Sequence, residues 1–323
     1  MMEFLVSFLL SLTGDRAVKV LLQMDWKRAE QMLQNIKKAR GCPETYPGIF
    51  KLKAILWGYT HNIRSPTGIA RLINDSYIAR KWCGLNSPPS HDCINDYMHA
   101  LEPVVEEMWL MLRDAAIHKG IINGYSQALD PTGVQTRYKK DTDAVWWWDE
   151  INKVYRFGYG CNAIFDTATQ LPIAVMDTPS KKTDSEEIRE VYAMTPIVPL
   201  LLTADGEMDI LEFHNQLMDQ GVMPVIPYNP RNAKEPLRIR FRIEQWFPRI
   251  GREWLKKAYR QRADAEHGWS TVKERFGLEH PCLKGRKGYR VHMYLCFIHR
   301  YLDAFAVRAN FSGVSVRRSF MCL

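Results

Sequence analysis

The sequence predicts an α/β fold in which a mixed sheet is flanked by helices and preceded by an all-helical N-terminal region. Residues 1–124 place apolar side chains at the three- and four-residue spacing of helices. Three strand-like runs then follow one another, and after them short helices and strands alternate. This order is typical of a mixed sheet with helices on its faces.

Gly- and Pro-containing turns divide the N-terminal region into predicted helices at residues 26–38, 50–61, 67–73 and 93–117. Ser90 is placed to cap the last of these helices, because its hydroxyl can accept from a free backbone N–H. The apolar run at residues 1–14 is too short to span a bilayer and carries Glu3, so it is predicted to be a buried helix.

The pattern changes at Asn123-Gly124, which sets a predicted boundary between residues 1–124 and residues 125–323. Strands are then predicted at residues 126–129, 154–165, 171–176, 200–203 and 222–226. Helices are predicted at residues 183–194, 210–220, 252–276 and 289–308.

Positive charge is concentrated in the C-terminal third of the chain. The formal net charge is +8, but residues 231–323 hold 21 Lys and Arg against 8 Asp and Glu, whereas the first 230 residues hold 23 against 28. A basic region on an acidic body indicates a polyanion partner, although a solvated basic face gives the same count.

The seven cysteines are scattered and form no CxxC pair or tight Cys/His cluster. This pattern argues against a zinc ribbon or a disulfide framework and is typical of a reducing compartment. No other apolar run approaches the roughly 18 residues that cross a bilayer. The sequence therefore predicts a cytoplasmic protein with no membrane association.

Two aspartates follow apolar runs that are predicted to be strands. Asp130 stands in Ala-Leu-Asp-Pro-Thr-Gly and Asp205 in Leu-Leu-Thr-Ala-Asp-Gly. Open α/β sheets build their sites at strand ends, so both carboxylates are candidates for chemistry, although each alone is better explained as the cap of a turn. Asp209 is predicted to lie at a helix N-terminus, where the helix dipole favours a carboxylate.

A third candidate lies within the helix predicted at residues 252–276. Polar and aromatic residues recur there in steps of three and four and share one face, namely Tyr259, Arg262, Glu266, Trp269 and Lys273. A core stripe would be apolar. This face indicates either an ion-pair ladder in solvent or a surface for a charged ligand such as a phosphate backbone.

Four positions of that face resemble the Y-(2)-R-(3)-E-(6)-K signature of insertion-sequence DDE transposases, as Tyr259, Arg262, Glu266 and Lys273. The segments around the two aspartates are similar to the first two acidic motifs of the same family. The resemblance covers residues 125–310. It implies a ribonuclease-H-like catalytic domain at residues 125–323 and a helical DNA-binding or assembly region at residues 1–124.

The resemblance also implies DNA transposition by two-metal phosphoryl transfer. Asp130, Asp205 and Glu266 would be the catalytic residues and would hold two Mg²⁺ ions roughly 3.5–4 Å apart. Mn²⁺ is expected to substitute, because both are hard ions that accept oxygen ligands. The implied partners are double-stranded DNA, as terminal inverted repeats and target, and a second copy of the chain, since two ends are cut together. The implied location is the prokaryotic nucleoid whenever the protein is on DNA.

By the same resemblance, Tyr259, Arg262 and Lys273 would contact DNA phosphates near the cleaved ends. Further candidates for phosphate contact come from charge alone. They are Arg238, Arg240 and Arg242, which alternate with apolar residues as on one strand face, and Lys284, Arg286 and Lys287 in a basic loop.

The run Trp146-Trp147-Trp148 has two open interpretations: stacking on an unpaired base, or packing of a hairpin on its own domain. Two other functions also remain open for the chain. One is a metal-dependent nuclease without strand transfer. The other is a non-catalytic DNA-binding descendant of a transposase, against which the intact Asp130, Asp205 and Glu266 set counts.

Overall fold

The computed structural model describes residues 16–36, 45–149, 152–180, 185–227, 229 and 251–311. These residues form two compact units. The helical unit joins the described residues up to Ala116 with those from Phe276 onward, and the sheet unit runs from Ile117 to Arg275. The helix predicted in residues 1–14 and the basic strand carrying Arg238, Arg240 and Arg242 lie outside the described residues.

The helical unit follows the predicted pattern, with two additional short helices, at Arg16–Leu21 and Tyr77–Trp82, and one break. Its N-terminal helices are α1 (Arg16–Leu21), α2 (Trp26–Leu33), α3 (Gly48–Thr60), α4 (Pro66–Asp75), α5 (Tyr77–Trp82), α6 (His91–Ala100) and α7 (Glu102–His118). In the part of the chain that the structure describes, every helix is too short or too polar to cross a lipid bilayer.

Local chemistry explains where these helices begin and end. Ser90 caps α6 as predicted, and its hydroxyl accepts from the backbone N–H of Cys93. The single helix predicted at residues 93–117 is instead two helices that meet at Leu101. Pro103 lies in the first turn of α7, where it needs no N–H partner, but it would clash inside a continuous helix.

The C-terminal helix α12 (Gly285–Phe311) packs against α1, α3 and α6 of the helical unit. The Arg290 guanidinium also pairs with Glu106 of α7, at 2.9 Å. This packing groups α12 with the N-terminal helices, whereas the sequence prediction placed it with the sheet. The boundary predicted at residue 124 separates the chain by function, and it remains a prediction.

The sheet unit contains six described strands. They are β1 (Ser126–Gln135), β2 (Val145–Asp149), β3 (Val154–Asp166), β4 (Pro172–Thr178), β5 (Leu201–Ala204) and β6 (Met223–Val225). The order is β4-β3-β1-β5-β6, with β2 pairing the first half of β3. Strand β1 is antiparallel to β3 and parallel to β5. This confirms the predicted mixed sheet.

Helices cover both faces of this sheet. On one face, α8 (Ser185–Ala193) and α9 (Leu211–Asp219) enclose an apolar core that includes Leu129, Ile164 and Leu202. On the other face, the Trp269 ring packs edge-on against Phe165, with ring centroids 5.1 Å apart. The period-two alternation of strands sends Ile164 and Phe165 to opposite faces and explains why both are buried.

The helix predicted at residues 252–276 is broken into three parts. Helix α10 (Gly251–Arg260) ends in a turn at Gln261 and Arg262, α11 (Ala263–Ser270) follows, and Thr271–Arg275 form a π-helical turn. The prediction of one continuous helix was therefore wrong. After the break, α11 packs against β1 and β3, where Gly268 allows the helix to approach the Phe165 ring.

Replacing Gly268 with Ala should lower the melting temperature. A Cβ at this position would lie 2.7 Å from the Phe165 ring, and such overpacking costs about 1–3 kcal/mol. That loss exceeds the gain of about 1 kcal/mol that Ala brings to a helix interior. Thermal unfolding followed by circular dichroism measures the change. His267→Ala, an exposed neighbour, is the control, and an unchanged or raised melting temperature for Gly268→Ala would contradict this packing.

Candidate active site

The two predicted aspartates lie side by side on adjacent strands. Leu129 of β1 pairs with Ala204, the last residue of β5, in the parallel ladder, and Asp130 and Asp205 are the next residues along the chain. Neighbouring strands lie about 4.8 Å apart, so the two carboxylates start from backbone positions that are close together. Both residues are half-buried.

Asp130 and Asp205 differ in their local backbone. Strand β1 continues past Asp130 to Gln135, and Asp130 pairs with Ala163 of β3. Strand β5 ends at Ala204, and Asp205 caps the single 3₁₀ turn Gly206–Met208. The prediction that both aspartates end a strand is therefore confirmed for Asp205 and wrong for Asp130, which stands on a continuous central strand.

The third carboxylate, Glu266, stands on α11, and two hydrogen bonds fasten this helical segment to β1. The Trp269 indole Nε1 donates to the backbone carbonyl of Asp130 at 2.9 Å, and the Lys273 ammonium donates to the carbonyl of Gly133 at 2.6 Å. Both donors belong to the predicted polar face. That face therefore points partly into the fold, toward the strand that carries Asp130.

Arg262 and Glu266 form an ion pair at 2.6 Å, with the Glu266 side chain half-exposed. The Arg262 guanidinium also lies over the Tyr259 ring, 5.6 Å from its centroid. Partial burial lowers the pKa of Arg262, but Tyr259, Glu266 and Asp205 outweigh burial and raise the pKa above its ordinary value. Arg262 is thus electrostatically coupled to two of the three predicted catalytic carboxylates.

The donor set suits a hard cation such as Mg²⁺, because it consists of carboxylates on three elements with their side chains reachable by solvent. Their present arrangement is not a closed site. Within the described residues, no three Asp, Glu, His or Cys side chains are gathered as a metal site. The Glu266 carboxylate is instead engaged by Arg262. The residue chemistry fits the implied ions.

Asp209 has a different role from the one predicted. Helix α9 begins at Leu211, and Asp209 is buried in the turn before it. The carboxylate accepts from the His214 imidazole at 3.1 Å and from the backbone N–H of Asn229 at 2.9 Å. These bonds tie the turn that follows Asp205 to α9 and to the segment after β6.

No direct sequence signal indicated the Asp209–His214 pair. A buried hydrogen-bond partner five residues along the chain follows no helical spacing when a turn separates the two residues. The only available hint was a histidine among the otherwise apolar core positions of α9, beside Phe213 and Leu217. Buried polar groups are almost always hydrogen-bonded, so such a histidine implies a nearby partner.

The remaining predicted DNA contacts lie elsewhere. Lys284, Arg286 and Lys287 are exposed at the N-terminal end of α12, in the helical unit. Cations are unfavourable at that end of a helix dipole, and an anionic partner would offset this cost. Arg238, Arg240 and Arg242 are outside the described residues, so their predicted contact with DNA remains a prediction.

Two family models match this chain. A model described as a transposase DDE domain matches residues 125–302, and a model described as a transposase domain matches residues 9–100. The first match begins where the sequence predicted the start of the α/β domain, and its range includes Asp130, Asp205 and Glu266.

Two curated relatives are similar to this chain over most of its length. The probable transposase for insertion sequence element ISH11, from two strains of Halobacterium salinarum, is 30% identical over 230 residues. The aligned region covers 69% of this chain and 68% of each relative. Among solved structures, the piggyBac transposase synaptic complex with hairpin DNA aligns with a TM-score of 0.49 and 13% identity, over 95% of this chain and 78% of that one.

Lys273→Ala should lower the melting temperature, because the ammonium group holds the π-helical turn to β1. A hydrogen bond from a charged group contributes about 1.5–3 kcal/mol, and its loss leaves the buried Gly133 carbonyl without this donor. Lys257→Ala removes an exposed ammonium from α10 and serves as the control. Equal melting temperatures for the two variants would show that Lys273 does not secure the turn.

His214→Ala should also destabilise the protein, and His214→Gln should recover part of the loss. Alanine leaves the buried Asp209 carboxylate with one donor fewer, at a cost of about 1–3 kcal/mol. Urea unfolding measures this difference, with the exposed neighbour Asn215→Ala as the control. If both alanine variants unfold at the same urea concentration, the Asp209–His214 bond does not stabilise the turn.

Proposed function

Because this chain belongs to the transposase DDE domain family, we propose that it cuts the ends of an insertion sequence and joins them to target DNA. The proposed chemistry is metal-dependent hydrolysis of a phosphodiester followed by transesterification. One observation carries the proposal: Asp130 and Asp205 follow paired residues on adjacent parallel strands, and the Glu266 helix is hydrogen-bonded to the same strand.

Asp130, Asp205 and Glu266 would hold the ions, as Mg²⁺ or as Mn²⁺ in its place. Two bound ions would supply Lewis-acid stabilisation of the scissile phosphate and of the attacking and leaving oxygens. The residues contribute the arrangement. The pairing of β1 with β5 fixes the first two carboxylates, and Trp269 fixes the distance of α11 from Asp130.

Arg262 is proposed to move from Glu266 to a DNA phosphate when the site assembles. Without DNA, its guanidinium offsets the repulsion between the Glu266 and Asp205 carboxylates. A phosphate accepts bidentate hydrogen bonds from a guanidinium, as a carboxylate does. The exchange would release Glu266 for metal binding only when DNA is present.

The proposed partners are the terminal inverted repeats of the element and the target duplex. The excess of basic over acidic residues beyond residue 230 supports binding to a polyanion. We propose a homodimer on DNA, since two ends must be cut and joined in one event. The proposed place of action is the DNA of a prokaryotic cell.

Asp130→Asn, Asp205→Asn and Glu266→Gln should each abolish cutting and joining while DNA binding persists. Losing a metal ligand removes several kcal/mol of charge stabilisation, which corresponds to a rate loss of about a thousandfold or more. The assay uses labelled duplex ends with Mg²⁺ and resolves nicked from joined products.

The matched controls are Asp219→Asn and Glu274→Gln, which change exposed carboxylates of the sheet unit. Near-normal cutting by any of the three site variants would remove that residue from the proposed ligand set. Cut ends that are never joined by the wild-type protein would favour a nuclease. Binding without cutting at any metal concentration would favour a non-catalytic descendant.

A further inference from the structure

The hairpin formed by β2 and β3 carries four aromatic side chains on one face, three of them exposed and Phe157 half-buried. Trp146 pairs with Phe157 across the strands and Trp148 pairs with Tyr155. The ring centroids of each pair are 5.0 Å apart. Trp146 is 65% exposed, Trp148 43% and Tyr155 68%, so this face is far more open to solvent than a core would be.

The strand alternation sends the middle tryptophan the other way. Trp147 is buried, and its indole ring lies over Gly133 of β1, where any Cβ would come within 2.5 Å of the ring. Trp147 therefore fastens the hairpin to the sheet, and Trp146 and Trp148 are left on the outer face. Of the two interpretations of this run, packing holds for Trp147 alone.

The hairpin has a fixed position relative to Asp130. Gly133 lies three residues beyond Asp130 on β1, and Gln135, the last residue of β1, pairs with Gly158 at the start of the aromatic face. At about 3.3 Å per residue, the aromatic face begins within about 20 Å of Asp130 along the sheet. A strand that leaves the candidate active site can therefore reach it.

Positive charge flanks the aromatic face at both ends. Arg137, Lys139 and Lys140 are exposed before β2, and Lys153 is exposed at the hairpin turn. Asp143 is also exposed beside the first group and offsets part of its charge.

The Asp149 carboxylate of β2 lies on the Trp147 side of the hairpin. It accepts two bonds from Asn152 and one from Arg156. These hydrogen bonds, first those from Asn152, hold the pKa of Asp149 well below its ordinary value. Among the described residues of the hairpin, the face that carries Trp146 and Trp148 therefore presents rings with no carboxylate between them.

We propose that this aromatic face binds the unpaired bases of a DNA strand that is opened next to the active site. The inference rests on the proposed function, which makes DNA the substrate. Base–aromatic stacking tolerates any sequence, because every base has a π-face, and nearby cations hold the backbone. Rings already paired across two strands lose little freedom when bases stack on them.

A second copy of the chain is the other occupant that an exposed aromatic face can accept. A two-fold contact would bring the same surface from both copies together, and with it the same flanking cations. Like charges disfavour that contact, whereas a polyanion is attracted to it. The charge pattern therefore favours the nucleic-acid strand.

Binding of labelled oligo-dT to the full chain, measured by fluorescence anisotropy, tests the proposal. Trp146→Ala/Trp148→Ala should weaken this binding at least about tenfold, since each stacked base contributes roughly five- to 150-fold. Trp146→Phe/Trp148→Phe should restore most of the affinity, because a ring remains. Binding to closed duplex should change by less than about twofold, since phosphate contacts dominate it.

Tyr77→Ala is the control, because Tyr77 is also 65% exposed but belongs to the helical unit. Unchanged oligo-dT affinity in the double alanine variant would overturn the proposal. A fall from dimer to monomer mass in light scattering, with oligo-dT affinity unchanged, would make the face a self-interface instead. If either outcome is found while the wild-type protein still cuts duplex ends, only the inference about the aromatic face fails. A wild-type protein that neither binds nor cuts duplex ends would overturn the proposed function as well.

Discussion

The parallel pairing of β1 with β5 is the constraint on which the candidate active site depends. It places Asp130 and Asp205 at equivalent positions on neighbouring strands. A shift of this ladder by one residue would turn one of the two side chains to the opposite sheet face. The apolar core under α8 and α9 prevents such a shift, because either Leu129 of β1 or Leu202 and Ala204 of β5 would leave it. The burial of apolar side chains thus sets the spacing of two polar ones.

The same strand organises the other elements of the site. Beyond Asp130, β1 receives the Trp269 and Lys273 hydrogen bonds through its carbonyls and the Trp147 ring at Gly133. An antiparallel ladder with β3 uses the remaining backbone groups on one side. Contacts with β1 therefore position both the Glu266 helix and the aromatic hairpin relative to Asp130.

Much of the fold was predictable because it follows from local periodicity. The two aspartates were found from apolar runs ending in Asp-Pro and Asp-Gly, and the mixed sheet from the order of its elements. The helix break at Arg262, the Lys273 contact and the Asp209–His214 bond were not predictable in this way. Each depends on which residues meet across the fold, and helical spacing alone is satisfied by a continuous helix as well as by a broken one. The packing of α12 with the N-terminal helices is likewise a long-range choice, since its apolar residues would suit either unit.

The Arg262–Glu266 pair shows how one contact serves two states of the protein. Clustered carboxylates repel one another when no cation is near, and a neighbouring guanidinium offsets that repulsion. An exposed pair four residues apart on a helix contributes only about 0.2–0.5 kcal/mol, so it stabilises the fold weakly. That weakness is useful for a site that must assemble on its substrate. A guanidinium in a weak ion pair can transfer to a phosphate at little cost in free energy. Breaking a deeply buried ion pair costs several kcal/mol, so such a pair would resist the exchange. The half-exposed Glu266 side chain therefore suits a ligand that binds metal only when DNA is present. The buried Asp209–His214 pair suits a contact that persists in both states.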